Sequence, residues 1–150
     1  MSQSLADIVL HIVFSTKNRE PLILPEIEHE LFQYVCGTAR QLQCPIIKIN
    51  GVEDHIHILL HLGRTISVSK LISELKSSSS RWVKTKGDKY RYFCWQDGYG
   101  AFSVSRPIID SAINYISNQK EHHKTETFKE EFIRMLQRAK IDYDEKYLWN

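Results

Sequence analysis

The alternation of apolar and polar positions divides the chain into a short series of elements. Ile8 to Ser15 is apolar and rich in β-branched residues, and it gives way to the polar run Thr16-Lys17-Asn18-Arg19, which predicts a first strand. From Pro25 to about Gln41, the residues Ile27, Leu31, Tyr34 and Val35 recur at helical spacing behind a proline suited to a first turn, which predicts an amphipathic helix. Ile46 to Val52 reads as a second strand. It runs into His55-Ile56-His57-Ile58-Leu59-Leu60-His61-Leu62, where the period is two. In a strand, Ile56, Ile58, Leu60 and Leu62 face one way, and His55, His57, Leu59 and His61 face the other. Asn50-Gly51 is the stronger hairpin dipeptide, while a turn at Glu53-Asp54 leaves longer partner strands, so both placements are open.

Further along, Val68, Leu71, Ile72, Leu75, Ser79, Trp82 and Val83 form an apolar stripe at helical spacing, with Ser67 as the expected N-cap. A loop around Lys86-Gly87-Asp88 and the Gly98-Tyr99-Gly100 region precede a last strand expected at Ala101 to Ser105. Ser105 is expected to cap a helix that Pro107 begins, and a final helix is expected from about Phe128 to Arg138. The order strand, helix, strand, strand, helix, strand and then helices is the split βαβ pattern. The expected fold is therefore α+β: a ferredoxin-like antiparallel sheet with helices on one face and the other free for a ligand or partner. Residues 1–150 are read as a single domain without repeats or a linker.

Composition changes this picture little. At 42% hydrophobic, 150 residues suffice for one core, and the formal charge of +2 does not by itself argue for a polyanionic partner. The distribution does more: Lys70 to Arg91 holds seven basic residues against two acidic ones. Arg81, Lys84 and Lys86, near the end of the second helix, are candidates to neutralise phosphates. Cys36, Cys44 and Cys94 have neither ligand-like nor framework spacing and suggest reduced thiols. With no apolar leader at the N-terminus and no stretch of membrane-spanning length, the expectation is a cytoplasmic protein without a membrane partner.

Chemistry concentrates at the histidine pair. Two imidazoles on one strand face can hold a metal ion if a third ligand comes from elsewhere. In the helix after Pro107, Ile109, Ala112, Ile113 and Ile116 make the apolar stripe, and Tyr115 and Gln119 lie four apart on its flank. If that flank lies over the histidine strand, Gln119 can offer its amide oxygen as third ligand and Tyr115 its hydroxyl to the substrate of the same ion. His61, on the same strand face, is the alternative ligand, although Leu59 separates it from the pair. A phenol is a weak nucleophile alone, but a phosphodiester polarised by a divalent ion is open to it, which implies strand cleavage through a phosphotyrosine. His122, one turn beyond Gln119, is a candidate for DNA contact. Trp95, Tyr99 and Phe102 could stack on bases or anchor a loop into the core.

These residues resemble a known family. His55-Ile56-His57 is similar to the histidine, hydrophobic, histidine motif of the HUH endonucleases, and Tyr115-Ile116-Ser117-Asn118-Gln119 resembles the tyrosine helix of their single-tyrosine transposases from small insertion sequences. The resemblance extends over Phe14-Ser15-Thr16-Lys17-Asn18-Arg19, Gly51-Val52-Glu53-Asp54-His55, Trp95 to Ser103 and Gln119-Lys120-Glu121-His122-His123. It implies a transposase in which His55, His57 and Gln119 are metal ligands for Mg²⁺ or Mn²⁺. Tyr115 would be the nucleophile, forming a 5′-phosphotyrosine link and freeing a 3′-hydroxyl. It also implies single-stranded DNA substrates with hairpin ends and a homodimer in which the tyrosine helix can serve the partner's histidines. Three alternatives follow from the same residues: a domesticated relative acting on chromosomal palindromic repeats, a non-catalytic ferredoxin-like nucleic-acid binder, and a zinc hydrolase using His55, His57 and His61.

Overall fold

The computed structural model describes residues 2–150. Four strands, β1 (Val9–Ser15), β2 (Ile46–Val52), β3 (His55–His61) and β4 (Gly100–Val104), form one antiparallel sheet in the order β2-β3-β1-β4. The helices are α1 (Pro25–Gln41), α2 (Val68–Lys84), α3 (Ile109–Ser117), α4 (Gln119–His122), α5 (Phe128–Arg138) and α6 (Glu145–Leu148).

The two central strands carry the design. Phe14 lies opposite Ile56, Ile12 opposite Ile58 and Leu10 opposite Leu60. These side chains join Leu31 and Val35 of α1 and Leu71, Ile72 and Leu75 of α2 in the main core. Each such aliphatic side chain contributes about 1.5–3 kcal/mol on leaving water. Alternate residues of the same strands point the other way, with Val13 opposite His57 and Ser15 opposite His55. That second face is covered by the chain itself: Ile116 of α3 packs with Val9 and Leu59, and Phe128 and Phe132 of α5 pack on Val13.

The β2–β3 turn falls at Glu53-Asp54, since Val52 pairs with His55 and Gly51 with Ile56. Gly51 is inside the strand, where a Cβ would come within 2.3 Å of the His55 carbonyl oxygen. The glycine thus serves a close backbone approach and not the turn. Gly100 has a similar role on β4, where an added Cβ would meet the Phe132 ring at 2.5 Å.

Three expectations shift. The last strand is Gly100–Val104, one residue earlier than expected. Ser105 makes no side-chain cap; Pro107 sits in a 3₁₀ turn, Arg106–Ile108, and α3 begins only at Ile109. Tyr115 and Gln119 do not share a continuous helix, because Asn118 (φ −100°, ψ 19°) separates α3 from α4. Ser67 does cap α2, accepting from the Lys70 N–H at 3.1 Å. Among the described residues no helix is long and apolar enough to cross a membrane, and the three cysteines are unbridged.

Candidate active site

Buried polar groups on the second face, among them His55, His57 and Gln119, converge on one carboxylate, Glu131. This residue occupies a core-facing position of α5, between Phe128 and Met135 in the apolar stripe, and is completely buried. An ionised carboxylate in such a place is tolerable only with several hydrogen-bond donors. Its Oε1 lies 3.0 Å from His57 Nε2, 3.0 Å from His123 Nε2 and 3.3 Å from His55 Nε2. Its Oε2 accepts from the Gln119 amide at 3.1 Å and from the Tyr115 hydroxyl. Burial alone would raise the carboxyl pKa, but the hydrogen bonds from His123, His55 and His57 outweigh it and hold the group well below the usual carboxylate range.

Each strand histidine is oriented from behind. His55 directs Nδ1 at Asp54 Oδ1, 2.7 Å away, which leaves Nε2 toward Glu131 and toward Gln119 Oε1 at 3.3 Å. Burial lowers the His55 pKa, yet hydrogen bonds to Asp54 and Glu131 overcome this and bring it to about 9. His57 is fully buried, and Nδ1 meets His11 Nε2 at 2.7 Å. Burial, only partly offset by Glu131, takes His57 down to about 4, while burial and then the neighbouring His57 take His11 to about 3. His57 and His11 are therefore neutral imidazoles near pH 7, and His57 can present a lone pair at Nε2 when its proton sits on Nδ1.

Tyr115 stands at the edge of this cluster. Its hydroxyl touches Glu131 Oε2 and accepts from Arg134 Nη2 at 2.9 Å, and Arg134 is itself held by Glu126 at 3.0 and 3.2 Å. Burial, reinforced by the Glu131 carboxylate, pushes the phenol pKa above its ordinary value, while Arg134 pulls it down. His122 stacks on the Tyr115 ring at a centroid distance of 4.8 Å.

The geometry suits a metal ion. One donor atom each from His55, His57, His123 and Glu131 lies within 4.8 Å of the others. Ligands about 2.1 Å from a six-coordinate ion sit about 3.0 Å apart along each edge. The 3.0 and 3.3 Å separations to Glu131 Oε1 have that spacing. The Asp54–His55 pair supplies the carboxylate support usual behind a ligating imidazole.

The structure thus brings together His55, His57, Gln119 and Tyr115, with His122 against the tyrosine. His61 is elsewhere: it lies at the far end of β3, 3.8 Å from Asp7, and does not enter the cluster. Arg81, Lys84 and Lys86 follow α2 on the opposite side of the sheet, where Lys86 is tied to Glu30 at 3.4 Å. Much of the basic excess in this stretch is neutralised: Lys70 pairs with Glu74, Lys89 with Glu26 and Arg91 with Asp88. Lys76 donates to the carbonyls of Gln96, Asp97 and Gly98, and its partial burial lowers its pKa to about 8. Trp95 is a core anchor, donating to Ser79 Oγ at 3.0 Å, whereas Phe102 is only partly buried beside His11.

Sequence reasoning passed over His11, Glu131 and Arg134, and it met His123 only at a helix end and within the resemblance. For Glu131 a signal exists: Phe128, Phe132, Met135 and Leu136 define a helical stripe whose vacant i+3 position is a glutamate. For His11 the signal is a lone polar ring inside an apolar strand.

A four-stranded antiparallel sheet with helices packed on it is an α+β fold shared with solved structures. One is a crystal structure from Deinococcus radiodurans R1 provisionally described as a transposase, 20% identical, with a TM-score of 0.61 over 79% of this chain and 98% of that one. Another is a REP-associated tyrosine transposase bound to a REP hairpin, 16% identical, with a TM-score of 0.62 over 82% of this chain and 74% of that one. No match was found among curated proteins. The family described as "Transposase IS200 like" matches residues 4–119, and the chain belongs to that family of transposases.

Proposed function

We propose that this protein is a metal-dependent single-strand DNA endonuclease and strand transferase that cuts hairpin-bearing ends through a 5′-phosphotyrosine at Tyr115. The observation that carries the reading is that the Tyr115 hydroxyl rests on the same buried carboxylate that gathers His55, His57 and His123. His55, His57 and Glu131 would hold the ion, with His123 and Gln119 at hand as further donors. Three imidazoles and a carboxylate favour manganese over magnesium, which prefers oxygen ligands. When bound, the divalent ion would act as a Lewis acid on the phosphodiester.

The chain's own groups do the rest. Glu131 Oε2 takes the hydroxyl proton as the phenol oxygen attacks phosphorus. Arg134 steadies the developing negative charge on that oxygen, and Gln119 fixes the carboxylate. The P–O(Tyr) bond forms as the P–O3′ bond breaks, and the 3′-oxygen takes up a proton, relayed through water from the Glu131 carboxyl, to leave as a hydroxyl. The same hydroxyl, or another strand end, reverses the step, so rejoining needs no nucleotide cofactor.

Tyr115 meets the histidines of its own chain, so the reading uses the tyrosine in cis. A homodimer is proposed only as an assembly, to be measured by light scattering. The neighbour bound to a REP hairpin favours a second reading, a relative that acts on chromosomal palindromic repeats and not on its own element. The purified protein with Mn²⁺ should form a covalent adduct with a hairpin-containing single strand, and Tyr115→Phe should form none. An undiminished adduct in that variant would overturn the assignment. Cleavage of REP-type hairpins in preference to hairpin ends flanking the gene would favour the second reading.

A further inference from the structure

A groove of about 580 Å³ opens beside Tyr115, between β4, α3 and α5. Phe102, Ile108, Ala112 and Met135 line its apolar part, and Arg134 and Arg138 stand on the α5 wall. Ile108 leaves 51% of its surface exposed there. We infer that this groove seats the single-stranded DNA segment leading to Tyr115, with one unpaired nucleotide on the apolar floor and a flanking phosphate at Arg138. The inference rests on the proposed reading of the site and names its substrate track.

Three observations converge. A phosphodiester attacked by Tyr115 must come within about 3–3.5 Å of the hydroxyl, so its chain must leave through an adjoining space. The space on the other side of the site is lined by Glu53 and Asp54, with Glu126 held by Arg134 and Lys124 already paired to Glu121 at 2.9 Å, and so offers a polyanion no free cation. The Tyr115 side carries instead two guanidiniums, of which Arg134 is held by Glu126 and Arg138, among the described residues, forms no ion pair. The groove's size suits a small ligand and its floor has an aromatic ring for a base to stack on. A base held in a duplex cannot enter without unpairing, so the groove selects single strands.

The test is fluorescence anisotropy with a labelled unstructured DNA hexamer in chelator, where no cleavage competes. Ser111 and Arg138 are exposed residues of the groove wall. Ser111→Trp, which fills the groove, and Arg138→Glu are each expected to weaken hexamer binding by about tenfold, with the salt slope falling by about one for Arg138→Glu. A blunt hairpin without a single-stranded flank should bind both variants as it binds the wild type. Hexamer affinities within twofold of wild type in both variants, with unchanged circular dichroism, would overturn the inference, as would no hexamer binding by the wild type. Adduct formation by the wild type with Mn²⁺ is scored separately. Its absence, with hexamer binding still lost in the variants, would sink the catalytic reading and leave the groove assignment in place.

Discussion

The two faces of the sheet are made from alternate residues of the same two strands, and they have opposite chemistry. Toward α1 and α2, β1 and β3 present Leu10, Ile12, Phe14, Ile56, Ile58 and Leu60, all in one apolar core. Toward α3, α4 and α5 they present His11, Ser15, His55 and His57, which are buried just as deeply. On the first face burial is itself stabilising. On the second every buried ring needs a partner, and Asp54, Gln119 and Glu131 supply them. One residue along a strand is therefore the distance between a position that sets stability and one that sets reactivity.

Substitutions should separate the faces. The largest effect is expected at Glu131→Gln, which keeps the shape but removes both the proton acceptor of Tyr115 and the anionic donor proposed for the ion. Adduct formation should slow by on the order of a thousandfold, with circular dichroism unchanged. An equal loss of helical signal would mean that the polar face also carries the fold. Next, Ile58→Ala on the apolar face should cost about 2–5 kcal/mol in urea unfolding, while the remaining folded protein keeps its rate.

A smaller effect separates the faces by pH. His55, raised to about 9, stabilises the metal-free fold fully below the ordinary histidine pKa, and this is lost as pH rises toward 9. His57, lowered to about 4, acts oppositely, and its contribution is lost as pH falls from about 6.5 toward 4. Thermal melts in chelator should peak between these limits and decline on both sides by about 1–3 kcal/mol. In His55→Asn the alkaline decline should flatten. The smallest change is proposed for Arg81→Glu with Lys84→Glu: hairpin affinity should fall only a few-fold, with a shallower salt dependence, and the cleavage rate of bound DNA should hold.

How far these features were legible depended on range. The strand alternation placed His55 and His57 on one face, and the cap at Ser67 and the spacing of Phe128, Phe132 and Leu136 placed two helices, because these are local signals. Ser105 failed as a cap because Pro107 starts a 3₁₀ turn ahead of α3. His122 was favoured over His123 by extending one helical phase past Gln119. Asn118 interrupts that phase, so His123 reaches Glu131 while His122 stacks on the tyrosine. Glu131 was missed because a glutamate in a helix usually faces water, and only its meeting with histidines more than seventy residues earlier makes it a buried acceptor. The open face expected of the sheet is closed by α3 to α5, which contribute the carboxylate and the tyrosine.

Gly51 has a further consequence. Any side chain there would press on the His55 carbonyl and the Ile56 backbone and part β2 from β3 where the histidine strand begins. The placement of His55 and His57 is thus set through a position that has no side-chain chemistry of its own. A Gly51→Ala variant is therefore expected to lose adduct formation although every catalytic side chain is intact.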